Sequence, residues 1–162
     1  ARVCRDWEAE AQAAEAGGAR VVRARFGIVL DAGGGALGQM LPLFRKGLGG
    51  PLGSGRQWFS WIHRRDLVEA LLFCLNSHQI AGPVNCVAPH PVTNRELTRA
   101  LGRALRRPAF LPAPGLAVRL LLGEFGSVLL RGQRVEPTVL RQAGFAFAHP
   151  DLDQALADIL GN

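Results

Sequence analysis

The chain contains no tyrosine, one methionine (Met40) and a single lysine (Lys46). Tyrosine is one of the side chains that can exchange a proton with a substrate hydroxyl, and this chain brings none. Three cysteines, Cys4, Cys74 and Cys86, lie far apart with no metal-ligand spacing. A sparse, odd count argues against a disulfide framework and for free thiols in a reducing, cytoplasmic compartment. His63, His78, His90 and His149 show no paired helical spacing, so no metal site is expected. Ser54, Ser60, Ser77 and Ser127 lack the strand–turn–helix setting of a nucleophile elbow. No apolar run approaches the ~20 residues needed to span a bilayer; the longest, 116–122, is interrupted by Arg119 and followed by Gly123 and Glu124. The start is charged and leads into no apolar segment, so no secretory signal is read there. It also lacks an initiator methionine, which suggests a chain that begins inside something longer.

What remains is ordinary for a soluble domain with a real core: 162 residues, 48% hydrophobic and 20% charged. Lys and Arg together number 19 against 13 acids, a net charge of +6. That balance suits nucleic acid, a membrane surface or phosphate-bearing small molecules. Along the chain, residues 1–16 read as a helix ended by Gly17-Gly18, and 20–26 as a strand running on into 27–30. A glycine loop over 31–35 precedes a helix over 36–46 with Leu37, Met40, Leu41 and Phe44 on one stripe. Residues 47–56 are turns; 57–62 are β-like; 67–75 are helical, with Asp66 as the expected N-cap; 83–88 are a buried strand. Thr93 and Glu96 form a capping box for a helix over 93–105. Short helices are expected over 116–122, 125–130, 138–142 and 152–160, the last capped by Asp151. Alternating strands and helices point to an α/β parallel sheet. Two lone parallel strands do not make a covered sheet, so further strands are expected ahead of Ala1, and the chain's sheet flank should be open. A homodimer is one arrangement that covers it.

Three constellations carry chemistry. Gly33, Gly35 and Gly38 form G-x-G-x-x-G at a helix start, where backbone N–H groups attract phosphate. No acid lies near position 55 to hold a ribose, and the next β segment is not an evident parallel partner, which favours a turn bordering a substrate pocket over a cofactor-phosphate loop. Residues 53–66 (GSGRQWFSWIHRRD) concentrate Arg56, Trp58, Trp61 and His63, which suit either a ligand pocket or a core. Arg95, Arg99 and Arg103, with Arg106 and Arg107, form a basic stripe. Without interleaved aromatics it reads as a solvated face rather than a nucleic-acid track.

Residues 20–30 (RVVRARFGIVL), Gly34-Gly35-Ala36-Leu37, 40–44, 47–55 and Ser60-Trp61-Ile62-His63 with Asp66 resemble the sugar-nucleotide-epimerase-like branch of the extended short-chain dehydrogenase/reductase family. Gly132-Gln133-Arg134-Val135 with Pro137, Gly144-Phe145 and Pro150 resembles the small C-terminal helical domain of that branch. The resemblance spans nearly the whole chain. It implies an α/β fold: the C-terminal part of a Rossmann-like parallel sheet with a mixed substrate-binding region (1–107), then a small helical domain (108–162).

The same resemblance implies NADP or NAD as cofactor of a longer parent, with no good binding to this chain alone. Arg25, Gly27, Ile28 and Val29 would lie under the nicotinamide, with backbone groups reading its carboxamide. Leu37, Met40, Leu41, Arg56, Trp58, Trp61 and His63 would face a small-molecule substrate, nucleotide-sugar-like in the family, with Arg56 suited to a diphosphate. Two departures bear on activity. If Glu8 is the acid that follows the family's Tyr-x-x-x-Lys dyad, the Lys position is Cys4 and the Tyr falls before Ala1. The Arg that nucleotide-sugar epimerases carry ahead of their aromatic-Ile-His segment is Phe59 here. The implied function is the substrate-binding half of an NAD(P)-dependent epimerase or oxidoreductase, inactive by itself. The alternative is a cofactor-binding sensor or scaffold with a degenerate dyad.

Overall fold

The computed structural model describes residues 2–113 and 132–161; the short helices expected over 116–122 and 125–130 lie outside them. In chain order the elements are α1 (Arg2–Ala16), β1 (Val22–Phe26), β2 (Ile28–Leu30), α2 (Gly35–Arg45), β3 (Trp58–Phe59), β4 (Trp61–His63), α3 (Arg64–Asn76), β5 (Gly82–Cys86), β6 (Val92–Thr93), α4 (Asn94–Leu105), α5 (Thr138–Gln142) and α6 (Leu152–Leu160).

The β-branched run that begins at Val21-Val22 becomes one long extended segment broken at Gly27. Before the break β1 pairs in parallel with β5; after it β2 pairs in parallel with β4. The switch is visible in the amides. Gly27 N donates to Cys86 O at 3.1 Å, and Ile28 N donates to Ser60 O at 2.8 Å. A Cβ on residue 27 would sit 2.8 Å from both Ser60 O and Val87 Cγ1, so only glycine fits the crossing. β4 is thus the parallel partner that the sequence did not make evident. β3 and β6 form a separate antiparallel pair.

The helices cover this frame. Thr93 caps α4 as expected: Glu96 N donates to its hydroxyl at 3.3 Å, and Thr93 N donates to Glu96 Oε2 at 2.6 Å. Leu97, Ala100 and Leu101 of α4 share one core cluster with Leu30, Trp61 and with Leu152 and Leu156 of α6. Each such leucine contributes about 1.5–3 kcal/mol on burial. The C-terminal helix is therefore seated on the same core as the strands. A second cluster joins Ile62, Val84 and Cys86 to Leu67, Ala70 and Cys74 of α3 and to Leu140 of α5.

One expected cap is corrected and another holds in position but not in its side-chain bond. The N-cap of α3 is His63, whose Nδ1 accepts from Arg65 N at 3.1 Å. Asp66 lies inside the first turn, fully buried, and its carboxylate serves a distant loop. Asp151 occupies the N-cap position of α6 but makes no side-chain cap bond; its carboxylate lies 2.9 Å from His90 Nδ1. The C-terminal end of α3 is finished from afar by Arg20, which donates to the carbonyls of Cys74 (3.0 Å), Leu75 (2.8 Å) and Ile80 (2.9 Å). A cation there also suits the negative end of the helix dipole.

One flank is open. Among the described residues β1 has β5 as its only strand partner, and α1 buries no side chain. Trp7 on α1 and Phe26 on β1 are 71% and 56% exposed. α1 is held to β1 by ion pairs, Glu8–Arg25 at 2.6 Å and Glu15–Arg23 at 3.0 Å.

Candidate functional site

Ligands of parallel α/β sheets gather beyond the carboxyl ends of the strands, which here is the β1–β2 junction. Arg25 does not reach out from it. Its fork is spent on Glu8, Nε to Oε1 at 2.7 Å and a terminal nitrogen to Oε2 at 2.6 Å. The bond holds the Glu8 carboxyl below its ordinary pKa and raises that of Arg25. Cys4, exposed, sits one helical turn before Glu8 on the same face of α1. The amides of Gly27 and Ile28 are already committed to Cys86 and Ser60. Val29 follows in the same parallel pairing, opposite Ile62, and its carbonyl lies close to Gly35 at the start of α2.

The seven residues expected to face substrate separate sharply. On α2, Leu37 and Leu41 are buried in the core with Phe44. Met40 instead lines a cavity of about 190 Å³. Phe44, Leu48, Leu52, Phe59 and Leu111 share its wall with Asn94. Trp58 is partly exposed, with the Arg134 guanidinium 5.3 Å from its ring centroid. Trp61 has no exposed surface, and its indole N–H donates to His90 O at 3.1 Å. Arg56 is exposed and absent from the cavity wall. His63 is buried as the α3 cap. Sequence reasoning missed Leu48 and Leu111 because a chain of turns hides which of its apolar residues point inward. The signal was the Gly49-Gly50 pair. Leu111 N donates to Gly49 O at 3.2 Å, and a Cβ on Gly50 would overlap the Leu111 carbonyl.

The fold also brings together residues that spacing kept apart. His63 and His149 stack with ring centroids 3.9 Å apart. His63 Nε2 lies 3.2 Å from Asp158 Oδ2; His149 Nε2 lies 3.8 Å from Asp158 Oδ1, and its Nδ1 lies 3.7 Å from Asp66 Oδ1 without a hydrogen bond. Asp66 accepts from Ala148 N (3.0 Å) and His149 N (2.9 Å). Burial, then the neighbouring His149, lower the His63 pKa, against the pull of Asp158 and Asp66. One nitrogen from each ring and an Asp158 oxygen lie within 4.8 Å of one another, a spread open to a metal. The cap argues otherwise. Nδ1 of His63 must keep its lone pair for Arg65 N–H, so neutral Nε2 carries the proton that Asp158 accepts and has no lone pair for an ion. The cluster is a latch that docks the 147–149 turn on α3.

A second tie fixes the segment 132–136. Ser60 Oγ donates to Gln133 O at 2.7 Å and accepts from Val135 N at 3.0 Å; Asn85 Nδ2 donates to Glu136 O at 3.2 Å. A Cβ on Gly132 would overlap the Trp58 carbonyl, so the glycine permits this approach. The basic stripe outlines an open groove by Arg99, Arg106, Arg107 and Phe110, but Arg103 is paired with Asp153 and Arg95 donates to Ser54 O. No helix among the described residues is long and apolar enough to cross a membrane.

Residues 113–159 match the family model described as a domain of unknown function, DUF1731. An epimerase family protein of Mycobacterium bovis is 50% identical over 157 residues, covering 96% of this chain and 52% of the relative. The crystal structure of human epimerase family protein SDR39U1 (isoform 2) with NADPH superposes with a TM-score of 0.84 at 43% identity, over 88% of this chain and 49% of that one. A nucleoside-diphosphate sugar epimerase from Corynebacterium glutamicum gives a TM-score of 0.75 at 35% identity, over 99% of this chain and 30% of the other. The chain spans about half the length of the curated relatives it matches.

Proposed function

We propose, from the premise that this chain belongs to the epimerase family and corresponds to its C-terminal portion, that it supplies the substrate side of an NAD(P)-dependent epimerase or oxidoreductase site. The observation that carries the reading is the β1–β2 junction. At the carboxyl end of β1 the chain changes partner at a glycine with no room for a side chain, the place where parallel sheets receive their ligands. The solved relative that covers this chain at the highest TM-score quoted above is a complex with NADPH.

A bound nicotinamide would supply hydride transfer to or from a substrate carbon. This chain's residues hold and orient. Glu8 fixes Arg25 and with it the approach of α1 to β1; Gly27 sets the bend; Met40, Phe59 and Leu111 wall off a space from water. Cys4, in the dyad's lysine position, brings no ammonium to favour a phenolate, and the chain by itself is expected to be inactive. The free thiols suit a reducing, cytoplasmic setting.

The test uses the protein at the length of its relatives. On adding NADPH, amide exchange should slow over residues 25–30. Unchanged exchange there overturns the reading. The second reading, a sensor or scaffold that holds the cofactor without turnover, is favoured by Cys4 in the lysine position. It predicts the same exchange protection with no oxidation of NADPH across a panel of sugars and carbonyl compounds; steady turnover of any one of them removes it.

A further inference from the structure

We infer that the substrate pocket takes an apolar group, a compact ring or short hydrocarbon carrying the reacting carbonyl or alcohol at its edge, and not a nucleoside diphosphate. This rests on the reading of this face as the substrate side. The cavity beside Met40 measures about 190 Å³. An apolar cavity of roughly 150 Å³ holds benzene, so this one takes about ten carbon atoms or fewer. A nucleotide sugar is several times larger.

The wall decides the chemistry. Met40, Leu43, Phe44, Leu48, Leu52 and Phe59 supply most of it, and among the described residues no charged side chain lines it. Asn94 is the one buried polar side chain at the wall among the described residues, and its oxygen already accepts from Leu52 N at 2.8 Å. Gln39 lies at the exposed rim. A uracil ring would fit by volume, but each buried N–H and C=O on its edge needs a partner, and the wall has too few. A diphosphate needs cations. Arg56 is exposed and outside the wall, and Arg95 is spent on Ser54 O. Cross-links hold the pocket open without a ligand: Leu111 N to Gly49 O, Ala113 N to Pro51 O at 3.0 Å, and Gly53 N to Ala113 O at 2.9 Å. An apolar guest is then bound by displacing poorly held water, with little ordering to offset.

Met40 is the only methionine, so a ¹³C-methyl-methionine label places a single resonance at the cavity. Cyclohexanone titrated into the labelled 162-residue chain should shift it saturably. UDP-glucose should leave it unmoved. Ala36→Phe and, independently, Leu48→Trp fill the space from opposite walls; in whichever variant keeps a dispersed amide spectrum, cyclohexanone should bind at least about tenfold more weakly. A saturable shift with UDP-glucose, no shift with cyclohexanone, or unaltered cyclohexanone binding in a folded, filled variant overturns the inference. The titration needs no cofactor, so its failure leaves the exchange result with NADPH standing, and the reverse.

Discussion

Asp66 is the buried acid on which the docking of the C-terminal turn depends, and its removal has a calculable consequence. Its side chain is 1% exposed and accepts two main-chain N–H bonds from Ala148 and His149, far away in sequence. Bonds to a charged acceptor contribute about 1.5–3 kcal/mol each, and an orphaned buried donor costs about 1–3 kcal/mol. Against this, Asp66→Ala relieves the desolvation of a buried charge. The net expectation is a loss of about 3 kcal/mol. At this chain length that corresponds to a fall in Tm of roughly 6–12 °C. Asp66→Asn keeps one acceptor oxygen but turns an amide N–H₂ toward the second donor, so it should lose about 2 kcal/mol. The assay is urea unfolding of both variants at constant m, with amide exchange at 148 and 149 as the local readout. A loss below about 1 kcal/mol for Asp66→Ala, or exchange at these two amides no faster than in the parent, would refute the role assigned to the carboxylate.

Three further outcomes follow from the same geometry. Gly27→Ala should destabilise by about 1–3 kcal/mol, since its methyl meets the Ser60 carbonyl and Val87 with no room to yield; a neutral result in thermal melts would remove the steric account of the partner switch. Glu96 titrates below the ordinary carboxylate range because it accepts from the Thr93 amide and hydroxyl, so its contribution is complete above the unfolded-state pKa and is lost as pH falls through the lower folded-state value. Thr93→Ala and Glu96→Ala should each cost about 1 kcal/mol at pH 7, and the Glu96→Ala deficit should shrink below about pH 4; a deficit constant down to pH 3 contradicts this. Burial, with Cys74 beside it, pushes the Cys86 thiol up to about 11, whereas Cys4 is exposed. A thiol reagent at pH 8 should label Cys4 quickly and reach Cys74 and Cys86 only in urea; three equally fast thiols would show that the second core is open.

Much of this was legible where a short-range rule applies. The capping box at Thr93 and Glu96, the α2 stripe and the long strand through Gly27 all follow from periodicity and local hydrogen bonding. The errors arose where a residue's partner is remote. Asp66 reads as a cap because the acceptors of a helix start are local; nothing nearby reveals that Ala148 and His149 will claim it. Trp61 and His63 read as pocket residues because aromatics and histidine suit both a pocket and a core, and only burial distinguishes them. Part of the cavity wall was hidden for a related reason: Leu48 and Leu111 come from turns, which have no period to show which way a side chain points. The family resemblance set Met40 toward a substrate, and the structure puts it at a cavity wall whose apolar character the resemblance did not indicate.

The central claim is that this chain holds one side of a dinucleotide site whose other side lies in the rest of the family's length. Titrating NADPH by fluorescence against the 162-residue chain and against the protein extended to the length of its relatives tests it most directly. Micromolar binding by the longer protein and none by the chain is the expected result; micromolar binding by the chain alone would contradict it.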